Sequence, residues 1–330
     1  MIGCFRIRRN SMSENGISRT GELIYALQQN IRRAVVGKDD VIELLLIALL
    51  CRGHVLIEDV PGVGKTTLAS SLARSLQCSF RRIQFTPDVT PSDVTGYTTV
   101  KLNTGETEFH PGAVMSQIVL ADEINRTSPK TQSSLLEVME EGQVTVDGVT
   151  HLLPRPFMVL ATQNPVEFVG TYPLPEAQMD RFFMRVSVGY PSVEEETDVL
   201  ERYCSPVSPS ASLTHVCTAE DVCGMQEQVS TVYCAKEVRA YAASLAAASR
   251  THPALRLGVS PRGTIALVRA AQALALLSGR DYILPDDVRR MAPSVLTHRL
   301  VLTPESMMKG TDPFAVLNDI LTRVPVPAGR

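Results

Sequence analysis

Between about residues 54 and 190 strand and helix signals alternate, with candidate strands at Val55 to Ile57, Phe80 to Phe85, Gln117 to Ala121, Phe157 to Ala161 and Phe183 to Val188, three of them built on short continuous apolar runs at 55–57, 118–121 and 157–161. Runs of this length suit strands buried on both faces, and the helically spaced stretches between them predict a parallel sheet of five strands covered by helices. Leu68, Leu72 and Leu76 recur at the i, i+4, i+8 spacing of a buried helix face. The longest apolar run, Leu44 to Cys51, is too short to span a bilayer and forms, with Val41 and Ile42, a core helix. Two hairpins interrupt the alternation: Thr98 to Leu102 with Glu106 to Phe109 around Asn103-Thr104-Gly105, and Gln143 to Val146 with Val149 to Leu152 around Asp147-Gly148.

Beyond Pro191 the strand signals stop. Ser192 with Glu195 and Thr218 with Asp221 form capping boxes, the run Ala240 to Ala248 implies close helix packing, and Pro261 to Ser278 reads as a long amphipathic helix ended by Gly279. The stretch Cys204 to Ser212, rich in Ser and Pro, is a loop between these helices. The expected organisation is a poorly ordered tail over residues 1–19, an α/β domain over 20–190 and a small all-α lid over 191–330.

Within that frame the segment His54 to Thr67 runs a strand into a glycine-rich turn and then into a helix. Its residues Pro61, Gly62, Val63, Gly64, Lys65, Thr66 and Thr67 read as a phosphate-binding P-loop. Backbone N–H groups and the helix N-terminus would surround a polyphosphate, Lys65 would reach its terminal phosphates, and the Thr66 hydroxyl would ligate Mg²⁺. The pattern G-x-x-x-x-G-K-[ST] fails at its first glycine, where Asp59 stands. A bare G-K-[ST] arises by chance in roughly one chain in six of this length, so the weight rests on the strand before it and the helix after it.

A second half-site follows where Ile118-Val119-Leu120-Ala121 ends in Asp122-Glu123. This is the form of a Walker B segment, in which Asp122 would hold Mg²⁺ and Glu123 would orient and polarise the water that attacks the γ-phosphate. An isolated Asp-Glu pair is commonly just a cap for the helix that follows; its place behind a P-loop favours the catalytic reading. Ser128, Pro129 and Gly142 bound the next helix, which could pass nucleotide state from Glu123 to the second hairpin.

The order of these motifs, with Asn125-Arg126 after the acidic pair, resembles the MoxR family of AAA+ ATPases over roughly residues 20 to 325. Four further stretches carry the resemblance. Val35-Val36-Gly37-Lys38 resembles the segment that meets adenine, which implies Val36 and Gly37 as nucleotide contacts. Leu160 to Pro165 resembles the strand ending in the sensor-1 asparagine, here Asn164. Leu174 to Phe182 resembles the segment bearing the arginine finger, here Arg181, and Gly258 to Arg262 resembles the start of the sensor-2 helix, which implies that Arg262 contacts nucleotide.

From the residues alone, Asn164 ends an apolar run and would reach the C-terminal edge of a parallel sheet, where doubly wound folds bind ligands. Arg262 lies in the first turn of a helix, an unfavourable place for a cation unless an anion such as phosphate compensates. A lone Arg such as Arg181 is by itself usually a solvated surface charge; the resemblance implies that it acts in a neighbouring subunit's site, stabilising charge on the γ-phosphoryl group, with Arg185 and Arg126 as rivals for that role.

The resemblance implies ATP and Mg²⁺ as cofactors, a homo-oligomeric ring of six subunits, and a client protein, often one with a von Willebrand A domain, that is remodelled or activated. It also places the two hairpins, a helix-2 insert and a hairpin before sensor 1, towards the pore or the client, although each could be an ordinary surface hairpin. Its wider clade includes metal-chelatase motor subunits and nucleic-acid motors, and a nucleotide-gated assembly switch is a further alternative.

Composition narrows these choices. The 330-residue chain has a formal net charge of -3, 5% aromatic residues and no Trp, which disfavours nucleic acid as a partner. Seven cysteines without a C-x-x-C pair suggest free thiols in a reducing, cytoplasmic setting. His215, Cys217 and Cys223 form at best a weak metal pattern. Met1 to Asn10 lacks the apolar core of a secretory signal, and Met12 is an alternative start.

Overall fold

The computed structural model describes residues 11–60, 62–164, 170–204 and 209–327. Pro61, Pro165, Cys4 and the rest of Met1 to Asn10, and part of the Cys204 to Ser212 loop lie outside the described residues.

Helix α1 (Ser11–Arg32) begins inside the stretch expected as a tail and is followed by α2 (Asp39–Leu50), β1 (Val55–Glu58), α3 (Lys65–Ser75) and β2 (Phe80–Gln84). Next come the short α4 (Pro91–Thr95), the hairpin β3 (Gly96–Val100) and β4 (Thr107–Pro111), then β5 (Ile118–Asp122) and α5 (Pro129–Glu141). A second hairpin, β6 (Gln143–Val146) and β7 (Val149–Leu152), precedes β8 (Met158–Gln163), α6 (Glu176–Met179) and β9 (Met184–Val186). The lid contains α7 (Val193–Cys204), α8 (Ala219–Val229), α9 (Lys236–Arg250), β10 (Leu255–Leu257), α10 (Pro261–Leu277), α11 (Pro285–Leu296), β11 (Val301–Leu302), α12 (Pro304–Met308) and α13 (Pro313–Arg323). It is helical as expected, with the addition of an antiparallel ribbon that pairs β10 with β11.

The five expected strands form one parallel sheet in the order β2-β5-β8-β1-β9. Successive side chains of a strand point to opposite faces, and both faces of the central strands β1, β5 and β8 are covered, so these read as continuous apolar runs, whereas the edge strand β2 leaves Arg81, Arg82 and Gln84 exposed. Ile118, Leu120, Met158 and Leu160 enter one core with α1, α2, α3 and the lid helices. Val119, Ala121, Val159 and Ala161 enter a second core with α5 and the foot of the second hairpin. The first core runs unbroken from sheet to lid, so the two domains share apolar packing.

Parallel strands give the sheet two chemically different edges. At the C-terminal edge stand Asp59, Asp122 and Asn164, each the last residue of its strand or the one after it. At the opposite edge His54 precedes β1, with its Nδ1 accepting from the Val159 N–H at 3.0 Å and its Nε2 bonded to the Met139 carbonyl at 2.9 Å. These bonds fix a neutral ring protonated on Nε2.

Burial pushes the His54 pKa from 6.5 down to about 4, against the Met139 hydrogen bond and aided by the Arg262 charge. Burial likewise drives His298 down. Between those limits the unfolded chain takes up a proton that the folded chain refuses, so stability is full above pH 6.5 and declines as pH falls towards 4. We expect a loss of about 2 kcal/mol from His54 by about pH 5. Thermal unfolding of the wild type and His54→Gln at neutral and acid pH checks this; an equal acid loss in both removes His54 as a cause.

Candidate nucleotide site

The P-loop folds as its glycines require. Gly62 and Gly64 take left-handed backbone conformations, with φ of 88° and 85°, and α3 starts at Lys65. Gly62, Val63, Gly64 and Thr67 line one wall of a cavity of about 320 Å³, whose other walls include Val36 and the lid residues Pro191 and Val199. Gly37 borders this wall at φ 66°, where an added Cβ would fall 1.8 Å from the Glu195 carboxylate of α7. Lys65 Nζ donates to the Asp59 carbonyl at 3.1 Å, folded back on its own loop.

Asp59, which breaks the strict motif, has a structural task. It is buried; Oδ1 accepts from the Val60 N–H at 2.8 Å, and Oδ2 accepts from the Val188 and Gly189 N–H groups at 2.6 Å each and from the Ser187 hydroxyl at 3.2 Å. One carboxylate therefore ties the start of the P-loop to the segment leading into the lid.

At the end of β5, Thr162 Oγ1 donates to Asp122 Oδ1 at 2.6 Å and accepts from the Glu123 N–H at 2.8 Å, so a single hydroxyl sets both acidic residues. Arg82 binds the other Asp122 oxygen at 2.6 Å. Glu123 has a left-handed backbone at φ 57°, costly for a side chain of this type and typical of functional positions. Its Oε2 accepts from Gln84 Nε2 at 2.7 Å and pairs with Arg126 Nη1 at 3.2 Å. Asn164 follows β8 and is buried, its carbonyl 3.4 Å from Asn125 Nδ2.

Among the described residues no group of three or more His, Cys, Asp or Glu side chains could hold a metal, and this includes the His215, Cys217 and Cys223 pattern. The Thr66 hydroxyl and Asp122 carboxylate nevertheless suit Mg²⁺, which uses one or two protein oxygens and takes the rest from phosphates and water.

The arginines separate. Arg126 pairs with its own Glu123, and Arg185 with Glu58 of the adjacent strand at 2.7 Å. Arg181 and Arg262 instead meet at the opposite sheet edge, in a cavity of about 250 Å³ lined also by Gly53 and His54. Both pair with Glu140, at 3.3 and 2.9 Å. A four-residue strand of about 13 Å separates that edge from the P-loop, so the two arginines lie together and away from the phosphate-binding loop of their own chain.

The segment bearing Arg181 is fixed by the lid. Arg299 is buried; its Nε meets Asp180 Oδ1 at 2.7 Å and its Nη groups donate to the carbonyls of Phe182 at 2.6 Å, Phe183 at 3.2 Å and Val295. Ser260 Oγ donates to the other Asp180 oxygen at 2.9 Å, and Arg256 pairs with Glu176. Sequence reasoning noted Asp59 only as a departure, gave Thr162 and Asp180 no role of their own although both lie in stretches that carry the resemblance, and missed Gln84 and Arg299, which stand in no recognisable spacing.

A P-loop at the C-terminal edge of a five-stranded parallel sheet, an acidic pair on the neighbouring strand and a helical lid define an AAA+ ATPase. The chain belongs to the MoxR family of that class. It is 40% identical over 306 residues to Chaperone MoxR1 of Mycobacterium tuberculosis, spanning 90% of this chain and 80% of that one. It is 52% identical over 302 residues to the uncharacterized protein YeaC of Bacillus subtilis, spanning 92% and 94%. Residues 54–184 match the family model "ATPase family associated with various cellular activities (AAA)" and residues 247–320 match the AAA lid domain. A crystal structure of a candidate ATPase from Cytophaga hutchinsonii superposes with a TM-score of 0.90 at 36% identity, covering 96% of this chain and 98% of that one.

The Asp59 network sets a test of the P-loop's architecture. Asp59→Gly installs the residue of the strict motif, yet leaves the buried Val188 N–H without its acceptor. We expect a loss of about 2 kcal/mol or more in unfolding free energy, because a charge-assisted network is broken. An unchanged denaturation midpoint would remove the role assigned to this carboxylate.

Proposed function

We propose that the protein hydrolyses Mg-ATP at the interfaces between subunits of a ring, six by family resemblance, and uses the cycle to remodel or activate a client protein. The observation that carries the reading is the position of Arg181 and Arg262 at the sheet edge opposite the P-loop, where they complete a site only if a second subunit presents its own nucleotide. A head-to-tail contact of this kind generates rings when the rotation closes. Arg181 is favoured as the finger because Arg126 and Arg185 are engaged with Glu123 and Glu58 of their own chain. Arg262 then serves the neighbour's nucleotide rather than its own, and the anion its helix position demands is that nucleotide's phosphate.

Val36, Gly37, Gly62, Val63, Gly64 and Thr67 bind the nucleotide, with Pro61 completing the loop in sequence. Lys65 leaves the Asp59 carbonyl to meet the terminal phosphates. Thr66 and Asp122 would hold Mg²⁺, which when bound would supply charge neutralisation on the phosphoryl oxygens. Arg82 must then yield its Asp122 oxygen, and Glu123 must leave Gln84 and Arg126 before it can polarise water held with the help of Asn164. Catalysis here is positioning and electrostatics, as phosphoryl transfer generally requires.

The hairpins support the client half of the proposal. Leu102 is 98% exposed on the first and Leu152 is 74% exposed on the second, apolar surface left open among the described residues. Stacking of Phe109 on His151, with ring centroids 3.8 Å apart, holds the hairpins together. In systems that resemble this one the client is often a protein carrying a von Willebrand A domain.

Lys65→Ala should abolish ATP binding, and Glu123→Gln should bind ATP without turning it over; undiminished turnover in both would sink the assignment. Because the fingers act in trans, ATPase activity per subunit should rise with protein concentration. Flat specific activity down to a monomeric regime overturns that claim. Capture from native lysate with ATP-loaded Glu123→Gln, against Lys65→Ala, should enrich a von Willebrand A protein; enrichment of nucleic acid would instead favour a nucleic-acid motor.

A further inference from the structure

Glu140 divides its carboxylate between two cations. Oε1 accepts from Arg262 Nη1 at 2.9 Å, and Oε2 lies 3.3 Å from Arg181 Nε. Each oxygen serves a different guanidinium, so the two arginines converge on a span the width of one carboxylate. They come from unrelated parts of the chain, Arg181 from the turn after α6 and Arg262 from the first turn of α10. Brought this close they repel, and Arg262 also faces the positive end of its helix; an anion between them removes both penalties. Glu140 is that anion. In the same cavity stand Arg52 and Arg269, which have no acidic partner among the described residues, so the surplus of charge awaits a polyanion.

Two further features define what Glu140 does. All three side chains are partly open to water, with 40% of Glu140, 32% of Arg181 and 46% of Arg262 exposed. Pairs this exposed are weak, so a multiply charged phosphate can displace the carboxylate. Glu140 also lies in the last turn of α5, whose first turn is capped by Ser128 just after the 3₁₀ turn Ile124–Arg126 that follows Glu123. One rigid helix therefore spans from the catalytic acid of a subunit to the arginines it offers.

We propose that Glu140 is a positioning residue for hydrolysis in the adjacent subunit. It presets Arg181 and Arg262 at the spacing of two oxygens on one phosphoryl group, releases them when the neighbour's nucleotide arrives, and moves with Glu123 through α5. The proposal rests on the reading that these arginines act in trans.

Glu140→Gln should lose turnover at saturating ATP by roughly tenfold, a fraction of what an arginine in trans supplies, while its affinity for a fluorescent ATP analogue stays at the wild-type value. Glu140→Asp should regain most of the loss, and melting temperatures confirm folding of both. Mixing Glu140→Gln with Glu123→Gln subunits provides the decisive readout. The first has a sound catalytic site and poor fingers, the second sound fingers and a dead site, so the mixture should hydrolyse ATP faster than the sum of the two alone. Arg181→Ala mixed with Glu123→Gln is the control. Recovery there, combined with wild-type turnover of Glu140→Gln or with no recovery in its mixture, overturns the role of Glu140 and leaves the trans reading intact. No recovery in the control overturns the trans reading, and the proposal with it.

Discussion

A guanidinium shut away from water holds the two domains in register. The Arg299 side chain is only 2% exposed, and a charge so placed is tolerable only when its donors are all met. They are met by Asp180 and by the carbonyls of Phe182, Phe183 and Val295, so the end of α11 in the lid and the strand-leading segment before β9 form one piece. Phe183 in turn donates its N–H to the His54 carbonyl at 2.8 Å, which joins that piece to β1. Even Gly263 conforms to it, since a Cβ there would lie 2.7 Å from the Arg299 side chain. The direction in which Arg181 projects is thus decided by a buried ion pair next to it rather than by Arg181 itself.

From this anchor the asymmetry of the subunit follows. A parallel sheet sends every strand end that carries phosphate chemistry to one edge, and the fixed lid segment sends Arg181 and Arg262 to the other. On the proposed reading the machinery of hydrolysis is then distributed over two faces of one molecule. Helix α5 runs between the faces, and the hairpin β6–β7 leaves from its end, so one rod joins the Glu123 turn, Glu140 and the hairpin. Thr162 adds a second economy of this kind, one hydroxyl orienting both Asp122 and Glu123.

The elements with strong local signatures were legible in the sequence. All five strands of the sheet, both hairpins, the capping boxes at Ser192 and Thr218, and the long helix from Pro261 could be read because burial on two faces, turn glycines and caps each leave a mark within a few residues. The lid ribbon escaped because β10 and β11 have three and two residues, too few to show a period. The site divides along the same line. Lys65, Asp122 and Glu123 announce themselves by spacing, whereas Glu140, Asp180 and Arg299 acquire meaning only from partners 41 to 122 positions away, as in Glu140–Arg181 and Glu140–Arg262. The placement of Arg262 beside Arg181 was likewise invisible, since it depends on how the lid is docked and not on any local pattern.

The nucleotide cavity is closed on one side by the lid's first helix, which supplies Val199 to its wall and Glu195 against Gly37, while Asp59 fastens the P-loop to the segment just before that helix. Pocket wall and lid anchor are therefore the same object. The width of the opening is then set by how the lid sits on the sheet, and Val188 takes part twice, its N–H bound to Asp59 and the residue itself lining the cavity.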